Sequence, residues 1–337
     1  MTCGPRNLIT DVAGLKVGNA DDERLRSGVT VIMGDQPLCA AVDIRGGAPG
    51  TRDVAVLAPE NLVTAIDGIC LAGGSAFGND AVSGLQSFLR AQGRGYQIAP
   101  GAPLVPVVCG AILFDLNNGG DKSWGEEPPY RQLGLTAAQR AGVDFTLGNA
   151  GAGMGAACGR LKGGLGSASW RLDDGTTVGA LVAVNAVGSA LMPHSDVFWA
   201  WPFEQQGEFG DRRPGVEFSA VPAVLPADMK LGSQAGANTT IAVVATDAVL
   251  DKLELKRIAI MAADGFARAL RPVHTPFDGD LIFAISTGRL SRADKSPLSS
   301  MQIGHAAADC LARAIARGVY EACSIGRLTS YREFIRR

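Results

Sequence analysis

Eight short apolar runs, each closed by turn-forming residues, set the strongest limit on what this chain can fold into. They cover 28–33 (GVTVIM), 38–44, 67–72, 111–116, 164–172, 176–185, 239–246 and 280–287. Runs of this length, rich in Val, Ile and Thr and bounded by Gly, Pro or Asp, read as strands, and the more continuously apolar ones as strands covered on both faces. Three other segments carry helical spacing. Ser75 is expected to cap a helix whose Phe77, Ala81, Val82, Leu85, Phe88 and Leu89 share one face. The segments 252–270 and 302–324 repeat their apolar residues at three and four. The final third therefore reads strand, helix, strand, helix, an α/β pattern, and 337 residues suffice for one large domain or two ordinary ones.

Composition narrows the function. Hydrophobic residues reach 47% and charged residues only 19%, which suits a heavily buried protein. The net charge of -2, with no evident basic cluster, gives no footprint for nucleic acid or an anionic membrane, so small or neutral partners are expected. Seven cysteines lie singly with no Cys-x-x-Cys pair, the pattern of buried thiols in a reducing compartment. No signal-like N-terminus or long apolar span is present, and a cytoplasmic location is expected. With three histidines and no His-Glu-x-x-His, no metal or other cofactor is expected. Forty-four glycines, many following the expected strands as in RGGAPGT and AGGSAFGND, match no phosphate-binding loop and are read as backbone lying close to a peptide-like substrate.

Between 202 and 238 the character changes to a long aperiodic segment rich in Pro, Gly and charge, read as a surface connection that ends at Asn238. It empties into GANTTIAVVATDA. Taken alone, Asn238-Thr239 is either a turn feeding a strand or a self-cleavage site. In the second reading the Thr239 hydroxyl attacks the Asn238 carbonyl, and hydrolysis of the resulting ester releases an N-terminal threonine. That residue holds both a nucleophile and, in its α-amine with a pKa of about 7.7 to 8.0, a base.

The company of this stretch decides between them. NTTIAVVATDA and LKRIAIMAADGFARALRPVHTPFDGDLIFAIST, with ITDVAGLKVGNA, AAVDIRGGAPGTRD, CLAGGSAFGNDAVSGL, GAGMGAACGRLKGGLGSAS and LVAVNAVG upstream, resemble the self-cleaving L-aminopeptidase/D-esterase family over nearly the whole chain. That family includes β-peptidyl aminopeptidases and nylon-oligomer hydrolases. The resemblance implies a four-layer αββα sandwich in one domain, cut between Asn238 and Thr239 into fragments 1–238 and 239–337 that stay together. It places the nucleophile on Thr239 and an oxyanion-side amide on Asn185. Asp278 and Asp280 fall where the family keeps acidic or hydroxyl partners of the nucleophile, and His274 nearby is read as structural. Arg160 stands where the family usually has lysine, with Lys162 next, and either cation is read as electrostatic support or as part of a solvated turn. Phe114 stands where some relatives carry tyrosine.

The expected reaction is amide hydrolysis at the N-terminus of a small peptide or amino-acid amide, through an acyl-enzyme on Thr239, with no cofactor. A homo-oligomer, a tetramer, is the expected assembly. The rival readings are an acyltransferase of the ornithine acetyltransferase kind, whose cleavage signature is not evident, an endo-acting nylon-oligomer hydrolase, and an uncut binding protein.

Overall fold

The computed structural model describes residues 1–215, 225, 227–230, 238–294 and 296–336. Eleven strands are formed: β1 (Leu15–Asp22), β2 (Ser27–Ile44), β3 (Thr51–Arg52), β4 (Ile66–Ala72), β5 (Val108–Ile112), β6 (Ala157–Cys158), β7 (Leu161–Lys162), β8 (Gly164–Arg171), β9 (Thr177–Asn185), β10 (Thr239–Ala248) and β11 (Leu281–Leu290). Six helices accompany them: α1 (Asp80–Ala91), α2 (Tyr130–Gln139), α3 (Lys252–Ala262), α4 (Asp264–Ala269), α5 (Pro297–Tyr320) and α6 (Tyr331–Phe334). The main strands run in the order β3-β5-β4-β2-β11-β10-β9-β8, with β1 beside β2.

The long strand β2 joins two sheets. Its first half pairs β1 and β4, and its second half pairs β11. The sequence suggested two strands here, 28–33 and 38–44. They are one, because the exposed stretch Asp35–Pro37 only interrupts the pairing, and a register shift at that point passes the strand from one sheet to the other.

Side-chain alternation then builds four layers. In β10 Ile241, Val243 and Ala245 enter the core between the sheets with Ile32, Leu71 and Phe283. Ala242 and Val244 point the other way, onto Leu255, Ile258, Leu311 and Ile315 of α3 and α5. Val31 and Cys70 of the second sheet pack on Val82, Leu85 and Ala137 of α1 and α2. This is the expected αββα sandwich in a single domain. At about 25 cal/mol per Å² of apolar surface removed from water, these three clusters supply the main stabilising term.

Several local expectations are corrected. Ser75 caps nothing: its φ of 53° puts it in the left-handed region just after Gly74, and a 3-10 turn, Ser75–Asn79, precedes α1. The helical segment 252–270 is two helices broken at Ala263, the first capped by Asp251, whose carboxylate accepts from Glu254 N at 2.8 Å. The run 111–116 is shifted, because β5 stops at Ile112 and leaves Phe114 and Asp115 beyond the strand end. Helix α2 and strand β1 escape the pattern. In α2, Gly134 has traded apolar bulk for approach to α1, where an added Cβ would lie 2.2 Å from Ala81 O.

The aperiodic segment also differs from a surface connection over its first part. The Glu208 side chain is only 7% exposed and takes Arg313 of α5 in two hydrogen bonds, 2.6 and 3.0 Å, while the Arg313 guanidinium also covers the Trp170 ring at 4.6 Å. Of its remainder, residues 216–224, 226 and 231–237 lie outside the described residues. Among the described residues no helix is long and apolar enough to cross a membrane.

Because Arg313 is fully buried, removing its counter-charge strands a guanidinium in the core. Glu208→Gln is expected to cost about 3 kcal/mol in denaturant unfolding. A loss within the range of a surface substitution would refute that account.

Candidate active site

The strand ends of the first sheet bring the expected residues together. Thr239, first in β10, pairs with Asn185, last in β9. On the other side Asn238 bridges Asp278, just ahead of β11. Thr239 is 2% exposed, and its Oγ1 donates a hydrogen bond to the Asn238 carbonyl oxygen. The same oxygen accepts Gly279 N–H at 2.9 Å. Position 279 has no room for a side chain, since a Cβ would sit 2.7 Å from Thr239 Oγ1 and 2.6 Å from Ala48 O. The Asn238 side chain is buried with neither amide atom hydrogen-bonded.

Both carboxylates of the Asp278-Gly279-Asp280 turn clamp backbone. Asp280 Oδ1 accepts Thr240 N at 2.7 Å, and its Oδ2 accepts His274 N at 3.1 Å and meets His274 Nδ1 at 2.9 Å. Asp278 Oδ1 accepts Val187 N at 3.1 Å, while its Oδ2 takes the amide and hydroxyl of Thr275 at 3.0 and 2.6 Å. Burial, reinforced by the neighbouring Asp280 charge, raises the Asp278 pKa. His274 is thus tied to Asp280, and its ring stacks edge-on against Phe266 at 5.3 Å.

A cleft of about 720 Å³ opens against Asn185 and Asn238. The Asn185 amide is oriented by its partners: Oδ1 accepts Ala157 N at 3.0 Å and Lys230 Nζ at 2.9 Å, and Nδ2 donates to Phe114 O at 3.0 Å. One amide hydrogen of Asn185 is therefore engaged by the Phe114 carbonyl, and Phe114 contributes a backbone acceptor besides its ring. Burial pushes Lys230 down to about 8. Lys162 is set deeper, donating to Gly153 O and Gly163 O at 2.8 and 2.7 Å, and burial pushes it down to about 7. Arg160 lies on the cleft wall with its guanidinium over the Phe334 ring at 4.7 Å.

Residues 7–330 match the profile of peptidase family S58. The chain belongs to peptidase family S58. An uncharacterized aminopeptidase of Mycobacterium tuberculosis is 42% identical over 349 residues, covering 97% of each chain. The 6-aminohexanoate-oligomer endohydrolase of a Kocuria species is 30% identical over 299 residues, 85% of this chain and 77% of the relative. Among solved structures, the Burkholderia β-aminopeptidase superposes with a TM-score of 0.69 at 23% identity, over 96% of this chain and 89% of the other. The L-aminopeptidase D-Ala-esterase/amidase of Ochrobactrum anthropi, described as a variant of the Ntn-hydrolase fold, gives 0.70 at 20% identity, over 99% and 93%. This S58 chain is a hydrolase of the aminopeptidase type.

Three groups at its site were not singled out from the sequence. Lys230 stands in the aperiodic segment, with no periodicity to mark it. Gly279 was passed over between two aspartates, although the role lies in its amide and its missing Cβ. Thr275 acts only through Asp278. The glycine clusters are also reassigned: a Cβ on Gly46 would meet Asp278 O at 2.4 Å, and one on Gly73 would meet Asp115 Oδ2 at 2.2 Å. These glycines let the chain pack on its own site backbone, whereas Gly155 and Gly159 line the cleft.

The two lysines give the S58 chain a signature in pH. Their ordinary value is 10.5, so in the window from about 7 for Lys162, or about 8 for Lys230, up to 10.5 the folded chain binds fewer protons than the unfolded one. Stability from these groups therefore rises with pH through that window, and the full cost of burying the cations remains below it. Lys162→Met is expected to flatten the rise in denaturation midpoint between pH 7 and pH 9 relative to wild type. Parallel profiles for the two proteins would overturn the assignment.

Proposed function

We propose that this hydrolase matures by cutting itself between Asn238 and Thr239, and that Thr239 is then the nucleophile toward the N-terminal amide of a peptide or amino-acid amide. The observation that carries the reading is the convergence on one carbonyl: the Thr239 hydroxyl and the Gly279 amide both hydrogen-bond Asn238 O. In the proposed processing step Thr239 Oγ1 bonds to the Asn238 carbonyl carbon while the Gly279 N–H holds the negative charge on oxygen, and the C–N bond then breaks as the hydroxyl proton passes to the Thr239 nitrogen, leaving an ester and a free α-amine. Water then hydrolyses the ester to give the Asn238 carboxylate and restore the Thr239 hydroxyl. One preorganised donor of this kind contributes about 3 to 4 kcal/mol to the barrier.

In turnover the freed amine takes the hydroxyl proton and passes it to the leaving amine, while the substrate acyl group is held on Thr239 until water arrives. Asn185, fixed by Lys230, lines the cleft where the substrate carbonyl would develop charge. Asp278 and Asp280 are positioning residues in this scheme, since Asp280 holds the Thr240 amide just after the bond and Asp278 holds the Val187 and Thr275 amides of neighbouring segments. The relatives named as aminopeptidases favour this substrate class, and Lys162 serves as buried electrostatic support.

Sheet topology explains how cut fragments would remain one particle. Strands β10 and β11 of the segment 239–337 are inserted between β9 and β2 of the segment 1–238. Fragments of 238 and 99 residues are expected to co-elute natively and to separate only in denaturant.

Intact mass spectrometry tests the reading. Thr239→Ala should stay one chain of 337 residues without amidase activity. Thr240→Val should be cut normally, because the Thr240 hydroxyl has no hydrogen-bond partner to lose. Gly279→Ala should slow processing by roughly tenfold or more, a barrier increase of about 1.4 kcal/mol. Normal processing of Thr239→Ala would refute the nucleophile, and normal processing of Gly279→Ala would refute the requirement for an absent Cβ beside Thr239 Oγ1.

A further inference from the structure

Lys230 reaches the cleft because the chain upstream of the proposed cut is strapped to its wall. Arg160 N donates to Asp228 O and Lys230 N to Val187 O, both at 2.9 Å, and Ser189 Oγ donates to the Asp228 carboxylate. Gly159 makes room for this strap, since at its φ of 53° a Cβ would stand 2.5 Å from Asp228 O. Arg160, Val187 and Ser189 all belong to the segment 1–238. Breaking the Asn238-Thr239 bond therefore leaves these anchors in place.

The strap delivers one side chain to the site. Lys230 Nζ donates to Asn185 Oδ1 at 2.9 Å, beside the Ala157 amide that donates to the same oxygen at 3.0 Å, while Asn185 Nδ2 donates to Phe114 O. The two backbone groups set which end of the amide points where, and the ammonium both strengthens that hold and adds charge. A cation on the oxygen draws electron density from the amide and makes the remaining N–H a stronger donor. Keeping a cation in the wall is unfavourable, and burial pushes Lys230 down to about 8. A methionine of similar length would avoid that cost, so the lysine is better explained by what its charge does to Asn185.

The proposed cut does not draw on this pair. Among the described residues the Asn238 carbonyl takes its hydrogen bonds from Thr239 Oγ1 and Gly279 N, whereas Asn185 gives its own to Phe114 O.

We infer that Lys230 is a positioning residue for turnover and not for the cut: from a strap that stays on the large fragment, it holds and charges the Asn185 amide that meets the substrate oxygen. This rests on the reading of Thr239 as nucleophile with Asn185 as donor to that oxygen.

The test joins intact mass spectrometry to steady-state hydrolysis of alanine anilide. Lys230→Met is expected to be cut as wild type is, which also shows that this end of the sheet has folded. It should then lose about tenfold or more in kcat, with KM within about twofold of wild type. In an Asn185→Ala background the same substitution should change kcat by less than about twofold, because the group it acts through is gone. Lys230→Arg, which keeps a cation on the strap, should lose less than Lys230→Met. Failure of Lys230→Met to be cut, an unchanged kcat, a loss confined to KM, or an equal loss with and without Asn185 overturns the inference. A readout without substrate separates it from the reading beneath it: the side-chain amide proton resonances of Asn185 should move upfield in Lys230→Met, and unmoved resonances overturn the inference. Wild type that cuts no anilide, or Thr239→Ala that still does, counts against the nucleophile reading instead, and the resonances then decide the role of Lys230.

Discussion

The register of β10 against β9 is the constraint on which the site depends. Thr239 faces Asn185, and the pairing continues residue by residue to Thr246 opposite Val178. Because side chains alternate, a slip of one position would exchange Ile241 and Val243 with Ala242 and Val244 between the two cores and bring Thr240 to the Asn185 end. Packing of the large side chains between the sheets therefore also selects which threonine stands opposite Asn185. Position in the core and position in the chemistry are set by the same alternation.

Around that strand end the chain keeps buried polar groups that an ordinary core would exclude. Asp278 and Asp280 are 1% exposed and are satisfied largely by backbone amides, while Lys162 is fully buried and held by two carbonyls. Burying such charges is costly unless each finds partners. The partners here are mostly backbone groups, so satisfying Asp278 and Asp280 also fixes Thr240 and the segments at Val187 and 274–275. Asn238 lacks such partners, with both side-chain amide atoms unpaired. An unsatisfied residue at a bond under proposed attack is a local destabilisation that a cut would relieve.

Much of this was legible in advance. All eight apolar runs contribute to strands, because a strand buried on both faces must be continuously apolar, and β10 is buried along its whole length. The four-layer arrangement and the members of the site came from the resemblance of ordered motifs, and the structure brings Thr239, Asn185, Asp278 and Asp280 to one place. What periodicity missed has physical reasons. Strand β1 alternates Lys, Gly, Asn and Asp with few apolar residues, and α2 replaces bulk with glycine at its crossing. Lys230 and Gly279 act through a single amine, a backbone amide and an absent Cβ, none of which leaves a repeat. The glycine clusters were visible, but their use was not, since a close approach to the chain itself and one to a substrate demand the same residue.

Processing and turnover would share one carbonyl position, and that limits how the donors can be divided between them. Gly279 N–H already points at Asn238 O, so it serves the first reaction without rearrangement. Asn185 has one amide hydrogen committed to Phe114 O and its oxygen committed to Lys230 and Ala157. Its remaining hydrogen is the group left to meet a substrate oxygen entering from the cleft. Lys230 is then more than a counter-charge. By holding Asn185 Oδ1 it prevents the amide from turning over, so that a donor and not an acceptor is presented to the developing charge. In the proposed reaction a threonine at the strand mouth would provide the nucleophile, but it is the fixed orientation of the neighbouring amides that would let the same end of the sheet act twice.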